Sequence, residues 1–276
     1  MDTLDQRVAW LAARWNLDLA TPFRVTPGSY GNSVIRARLD NGTLCVLKVS
    51  SNIDETRSEI RALEIWDGRG AVRLLAAEPD LGGLLLERVE PGSMLVEVEE
   101  DSDTATRIAA GVLRGLWRPA SEQRGLRSLE SWCAAYDRNR AALTHGVDGF
   151  PVSLFERADT LRAELLASTR TPVVLHGDLH HFNVLRSERA GWLAIDPKGL
   201  CGDACFDVCQ FLRNPEWVPP PVNRRRLETL CAELDLDPQR ARAWCLVHAV
   251  LDACWSFEEQ RPIGERVAYA QQTLQF

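Results

Sequence analysis

No C-x-x-C pair occurs in this sequence despite its eight cysteines, so the usual zinc-ribbon signature is excluded. Cys201, Cys205 and Cys209 recur every four residues, a spacing that would align them on a helix, and they read as small buried hydrophobes. In a reducing compartment they would be free thiols. A long hydrophobic run is also missing. The longest apolar stretch, Ala243 to Val250 with His248 inside it, is too short for a membrane span and is followed by Asp252. The opening residues Met1-Asp2-Thr3-Leu4-Asp5 carry neither the basic nor the apolar region of a signal peptide. The expected location is therefore cytoplasmic, away from any membrane. Positive charge is in deficit: the formal net charge is −7, where a nucleic-acid binder would carry a basic face. An acidic surface attracts a cationic small molecule instead. Internal repeats, low-complexity tracts and a G-x-G-x-x-G string are absent as well.

What is present suits an ordinary soluble globular protein. With 276 residues, 45% hydrophobic and 26% charged, the chain can form one large domain or two coupled lobes. The first third reads as strands and the remainder as helices. Phe23 to Val49 is expected to form three antiparallel strands, with Asp40-Asn41-Gly42 as a hairpin turn requiring φ > 0 at both turn positions. The third strand, Leu44 to Val49, is apolar except for Lys48, which shares a face with Leu44 and Val46. A lysine there needs an anionic partner or must snorkel to solvent. A helix from about Asp54 to Trp66 follows, ended by Asp67-Gly68, with Glu59 beside its apolar stripe and Glu55 and Glu64 as rival carboxylates. Strands are expected at 72–76 and 84–89. Pro91-Gly92 then breaks the pattern as a hinge would, dividing the chain into an N-terminal lobe, 1–90, and a C-terminal lobe, 91–276.

Helical periodicity continues through Ile108, Val112 and Leu116. Ser153-Leu154-Phe155-Glu156 reads as a capping box, and Asp237-Pro238 as the N-cap and first position of a helix running to about Glu259. A last helix is expected from Glu265 to Leu274.

The chemistry lies in Val173 to Leu185, continuing through Trp192 to Gly199. A short apolar strand delivers His176-Gly177-Asp178 into a loop, Asn183 follows five residues later and Asp196 thirteen after that. If Val184-Leu185 and Trp192 to Ile195 pair as a hairpin, Asn183 and Asp196 meet at its open end, facing the loop that carries Asp178. An amide oxygen and a carboxylate there suit Mg²⁺, which keeps waters and phosphates as its other ligands. The intervals follow the logic of the protein-kinase catalytic loop and its metal-binding aspartate.

His176-Gly177-Asp178…Asn183…Asp196 resembles the signature of the aminoglycoside phosphotransferase family. The longer string, with Trp192-Leu-Ala-Ile-Asp196-Pro and Gly199-Leu, is particularly similar to its streptomycin 6-phosphotransferase (streptomycin kinase and hydroxyurea phosphotransferase) branch, as is Trp66-Asp67-Gly68…Gly70-Ala71. The likeness runs from about residue 20 to residue 260. It implies an α+β, bilobal, protein-kinase-like fold with a small antiparallel-sheet N-lobe and a larger, mainly helical C-lobe. It further implies an ATP- and Mg²⁺-dependent antibiotic-resistance kinase acting on the 6-hydroxyl of streptomycin. Asp178 would accept the acceptor hydroxyl's proton. Asn183 and Asp196 would hold magnesium, and Lys48, fixed by Glu59, would neutralise the α/β-phosphates. Ser29 to Ser33, with Gly28 and Gly31, would cover the nucleotide, and the backbone of Glu87 to Val89 would bind adenine. Asp207 would brace the catalytic loop.

Other readings keep part of this pattern. The acceptor could be another small alcohol or a hydroxyurea-like compound. His176-x-Asp178-x-His180-His181 could ligate zinc in a hydrolase. A nucleotide-binding scaffold would have lost Lys48, Asp178, Asn183 or Asp196, and all four are present. His176 reads as structural, and His180 and His181 as variable loop residues. For a cationic acceptor the candidate acids are Asp203, Glu216, Asp252, Glu258 and Glu259. A monomer or weak dimer is expected.

Overall fold

Thr3 and Gln6 close a reciprocal capping box that starts the first helix, α1 (Leu4–Arg14), and the helix buries Leu11 against the sheet that follows. The computed structural model describes residues 3–20, 31–120, 125–145 and 149–276. Strands β1 (Leu17–Leu19), β2 (Asn32–Leu39), β3 (Leu44–Ser50), β4 (Leu74–Glu78) and β5 (Gly83–Glu87) form one antiparallel sheet in the order β1-β2-β3-β5-β4. The first strand lies upstream of the expected Phe23, and 21–30 falls outside the described residues. The hairpin at Asp40 to Gly42 forms, but by a different turn. Only Gly42 is left-handed (φ 85°), while the Asn41 side chain accepts from the Thr43 amide at 3.0 Å. One glycine is enough for this longer loop.

Helix α2 (Ile53–Trp66) sits between β3 and β4, with Asn52 as N-cap and a left-handed Asp67 (φ 49°) as C-cap. Beyond β5 the expected hinge is itself a strand. Pro91–Met94 (β6) pairs with β9 (Val184–Ser187), whose other neighbour is β10 (Gly191–Ala194). The rest is mainly helical: α3 (Leu95–Val98), α4 (Ser102–Leu116), α5 (Leu129–Trp132), α6 (Ala135–Thr144), α7 (Val152–Ser168), α8 (Cys209–Arg213), α9 (Pro220–Leu234), α10 (Pro238–Glu258) and α11 (Gly264–Thr273). A small sheet of β7 (Arg127–Ser128), β11 (Leu200–Gly202) and β8 (Val173–Leu175) lies among them.

Two sequence expectations fail locally. Helix α7 starts a residue before Ser153, with Pro151 at its N-cap and no capping side chain, so the capping box does not form. The three evenly spaced cysteines do not share a helix: Cys201 is in β11, Cys205 in the 3₁₀ turn Ala204–Phe206, and Cys209 opens α8. All eight cysteines are free thiols.

Helix α10 is apolar on every side because it is surrounded, with Trp244 to Leu251 buried throughout. Its N-cap Asp237 accepts from the amides of Gln239 and Arg240, as expected from Asp-Pro. Among the described residues no helix is long and apolar enough to cross a membrane.

His248 of α10 is 4% exposed, its Nδ1 has no hydrogen-bond partner among the described residues, and burial holds its pKa down near 4. A histidine whose folded pKa lies below its unfolded value of about 6.5 stabilises the fold above that pH. The contribution is lost as pH falls through the folded value, about 3 kcal/mol in all. Denaturant midpoints measured from pH 7 to 4 should therefore fall less steeply for His248→Leu than for the native protein. Parallel curves would remove His248 from the account.

Candidate active site

Strand β8 ends in a loop that buried hydrogen bonds hold open. Asp207 accepts from the His176 amide at 2.9 Å, from the Gly177 amide at 2.7 Å and from Trp117 Nε1 at 3.1 Å. Burial pushes its carboxyl up to about 6 against the pull of these donors. Gly177 is left-handed (φ 81°), and a Cβ there would meet the Leu200 side chain at 2.9 Å. The His176 ring stacks on Trp66, and Nε2 lies 2.9 Å from the Ile195 carbonyl. The Asp178 amide donates to Nδ1 at 3.2 Å, so the ring carries its proton on Nε2. Burial keeps it neutral, with a pKa near 3. His176 is thus a structural bracket between the two loops.

The β9–β10 hairpin pairs Val184 with Ala194, and the Ile195 amide donates to the Asn183 carbonyl at 3.0 Å. Asn183 and Asp196 therefore flank the hairpin's open end. Asn183 Nδ2 donates to the Asp178 carbonyl at 3.0 Å, which leaves Oδ1 as the ligand end of the amide. Asp196 is left-handed (φ 59°), a conformation aspartate tolerates better than most residues. Gly199 (φ 63°) lies so close to α2 that a Cβ would stand 2.1 Å from the Ser58 carbonyl oxygen. Only glycine lets the loop after β10 pack there.

Lys48 comes from the sheet to meet this loop. Its Nζ donates to both Glu59 oxygens at 2.7 Å and to Asp196 Oδ1. Lys48 is 7% and Glu59 5% exposed. Burial alone would push the ammonium pKa down, but the two carboxylates outweigh it and hold it above its ordinary value. Asp196, despite burial, is held well below the usual carboxylate range by Lys48 and then Lys198. Glu59, rather than Glu55 or Glu64, is the lysine's partner on α2.

Asp178 is in a drier place. Burial raises its carboxyl to about 7, with Lys198 working in the opposite direction. Lys198 Nζ stands 3.9 Å from Asp178 Oδ2, and His180 Nε2 3.8 Å from Oδ1. The Gln210 side chain pulls in the same direction as Lys198. Of these three neighbours, the sequence marks only His180, as a possible zinc ligand, and none as a partner of Asp178. Lys198 had the clearest signal, a lysine two residues past Asp196. His180 and His181 are not idle loop residues. His180 contacts Asp178 and Asn183, and His181 is buried, stacked on Phe211 with ring centroids 4.1 Å apart.

On the nucleotide side, Ser29 and Gly28 lie outside the described residues. Gly31 (φ 64°) accepts from the Ser51 amide, and Ser33 is in β2 opposite Val49. The Glu87 amide donates to the Arg73 carbonyl at 3.0 Å. Its carboxylate binds Arg189, which also donates to the carbonyls of Gly68 at 2.7 Å and Ala71 at 3.0 Å. Val89, half-buried, follows in the irregular segment between β5 and β6. The Glu87 side chain is therefore a tie between Arg73 and Arg189.

Most of the candidate acids for a cationic acceptor already have partners. Asp203 is buried against Arg240 and Trp244 Nε1, Asp252 pairs with Arg213 at 2.7 Å, Glu258 with Arg138 at 2.8 Å and Glu259 with Arg261 at 2.6 Å. Glu216 is exposed on the loop after α8.

The donor set fits magnesium and not zinc. One amide oxygen and one carboxylate are hard ligands with room for phosphate oxygens. Among the described residues no three His, Cys, Asp or Glu side chains converge as a metal cage, and both His176 nitrogens are engaged.

Residues 14–260 match the family model of aminoglycoside/hydroxyurea antibiotic resistance kinases. The chain is 34% identical to hydroxyurea phosphotransferase of Kitasatospora aureofaciens, covering 94% of this chain and 75% of the relative. It is also 34% identical to streptomycin 6-kinase of Streptomyces glaucescens, covering 91% and 85%. Choline kinase LicA from Streptococcus pneumoniae shares the fold, with a TM-score of 0.70 at 15% identity over 98% of this chain and 97% of that one. The architecture is thus bilobal and protein-kinase-like.

Proposed function

This chain belongs to the aminoglycoside/hydroxyurea antibiotic resistance kinase family, and on that premise we propose that it transfers the γ-phosphoryl group of ATP to a hydroxyl of streptomycin, the 6-hydroxyl first. At the coarser level it is an enzyme, a phosphotransferase acting on an aminoglycoside-like hydroxyl. The observation that carries the reading is the convergence of Lys48, Asp178, Asn183 and Asp196 from three segments: β3, the loop between β8 and β9, and the loop after β10.

Each residue has work suited to its surroundings. Asp178, with a carboxyl near 7, orients the acceptor hydroxyl and takes its proton. Lys48, charged and fixed by Glu59, holds the α- and β-phosphates. Asn183 Oδ1 and the Asp196 carboxylate would hold magnesium, which would supply positive charge to the phosphate oxygens. Gly31 and Ser33 would cover the nucleotide, and the backbone from Glu87 to Val89 would receive the base. The lobes divide at 90/91. The protein works in the cytoplasm as a monomer or weak dimer, on a soluble cationic acceptor.

A second reading changes the acceptor alone to hydroxyurea, because the relative bearing that name is as similar as the streptomycin kinase. One experiment addresses both: purified protein with γ-labelled ATP, Mg²⁺ and either compound. Label on streptomycin supports the first reading and label on hydroxyurea the second. ATP left intact with both, and with a wider panel of alcohols, would rule out the kinase.

A further inference from the structure

We propose that Lys198 is a further catalytic residue, which grips the transferred phosphoryl group from the Asp178 side as Lys48 holds the nucleotide from the Asp196 side. The inference rests on the phosphotransferase reading above and names a residue of that same site.

The backbone around Lys198 is fixed at both ends. Its amide donates to the His176 carbonyl at 2.7 Å, and the next residue, Gly199, is seated against the Ser58 carbonyl. The side chain therefore leaves a rigid base that is itself bonded to the catalytic loop. Its Nζ stands 3.9 Å from Asp178 Oδ2 and 3.9 Å from Glu55 Oε2. Both contacts are within ion-pair range and beyond hydrogen-bond length. Lys48 differs in this respect, since it donates to both Glu59 oxygens at 2.7 Å. A lysine with a purely structural role would close on its carboxylates in the same way. Among the described residues the Lys198 ammonium makes no hydrogen bond, so its three donors are available to an anion.

That anion has a defined place. In the transfer, the bond between the γ-phosphorus and the β,γ-bridging oxygen breaks and its electron pair stays with ADP. The acceptor oxygen bonds to phosphorus, and the hydroxyl proton passes to Asp178. Negative charge lies on the three equatorial oxygens of the moving group throughout. The acceptor hydroxyl must reach Asp178, so the moving group passes within reach of a cation 3.9 Å from that carboxylate. Lys198 keeps its protons and donates to an equatorial oxygen. Such a contact strengthens as the group flattens, which makes it a transition-state interaction.

The test compares the native protein, Lys198→Met and Lys198→Arg. For Lys198→Met, kcat should fall about 100-fold or more with the KM for both substrates within about threefold. Lys198→Arg should regain about tenfold of that loss by restoring a donor. Binding supplies a readout independent of turnover. Calorimetry with ADP, Mg²⁺ and aluminium fluoride, which mimics the planar phosphoryl group, should show Lys198→Met weakened in proportion to kcat. Its affinity for ADP alone should be unchanged. Equal affinity for the fluoride complex in native and Met proteins would overturn the proposal, as would an equal loss for ADP alone. If Lys198→Met unfolds below the assay temperature, Lys198→Gln against Lys198→Arg gives the same comparison. Absence of transfer by the native protein counts against the phosphotransferase reading. Normal transfer by Lys198→Met counts against Lys198 alone.

Discussion

Asp178→Asn should transfer phosphate about 10³–10⁴-fold more slowly than the native protein while binding ATP with nearly unchanged affinity. The substitution keeps size and hydrogen-bonding capacity but removes the group that receives the acceptor's proton. Asp178 sits between His180 and Lys198, and its amide is pinned to His176, so the loop keeps its shape when the charge is removed. Burial has raised this carboxyl to about 7, so a neutral asparagine adds no desolvation penalty. Single-turnover transfer and nucleotide titration on the same preparation separate chemistry from binding. A variant retaining a tenth of the native rate would show that proton removal by Asp178 does not limit transfer.

Lys48→Met carries a second large effect, on stability as well as rate. Lys48 is the ammonium partner of a glutamate that is 5% exposed, so its removal leaves a buried charge unpaired. Breaking such a pair typically costs about 3–5 kcal/mol, and in a protein of this size that lowers Tm by about 10 °C. The rate falls too, because the phosphates lose their cation. The double variant Lys48→Met/Glu59→Leu tells the two effects apart. It should recover most of the lost Tm, since both charges are gone, yet remain inactive. Thermal melts beside transfer assays check this. Recovery of activity with stability would mean that Lys48 serves the fold alone.

The placement of the candidate site residues was legible because it is set by local geometry. A strand, a loop and a tight hairpin place Asp178, Asn183 and Asp196 by spacing alone, and alternation along β3 points Lys48 inward. Helices with strong caps were equally plain, α2 and α10 above all. Helix α9 was not legible: it opens on two prolines and buries Asn223 and Arg226 beside Leu227 and Leu230, so its inner face looks polar in sequence. Strand β6 was hidden behind Pro91-Gly92, whose pairing partner lies almost a hundred residues on, across the chain. Lys198 escaped notice for a related reason. Its neighbours Asp178 and Glu55 come from two other segments, and only the folded chain brings them together.

The three-way grip of Arg189 on Glu87, Gly68 and Ala71 has a mechanical consequence. Ala194 adds two backbone hydrogen bonds to Gly70 and Val72, so the hairpin that ends in Asn183 and Asp196 is stitched to the nucleotide half of the molecule. Opening the enzyme cannot simply swing these residues away from Lys48. The candidate site is therefore braced by backbone and arginine hydrogen bonds on the side away from Asp178. If the proposed phosphotransfer holds, discrimination among incoming alcohols would rest on the shape of a standing mould and not on a centre assembled around each arrival.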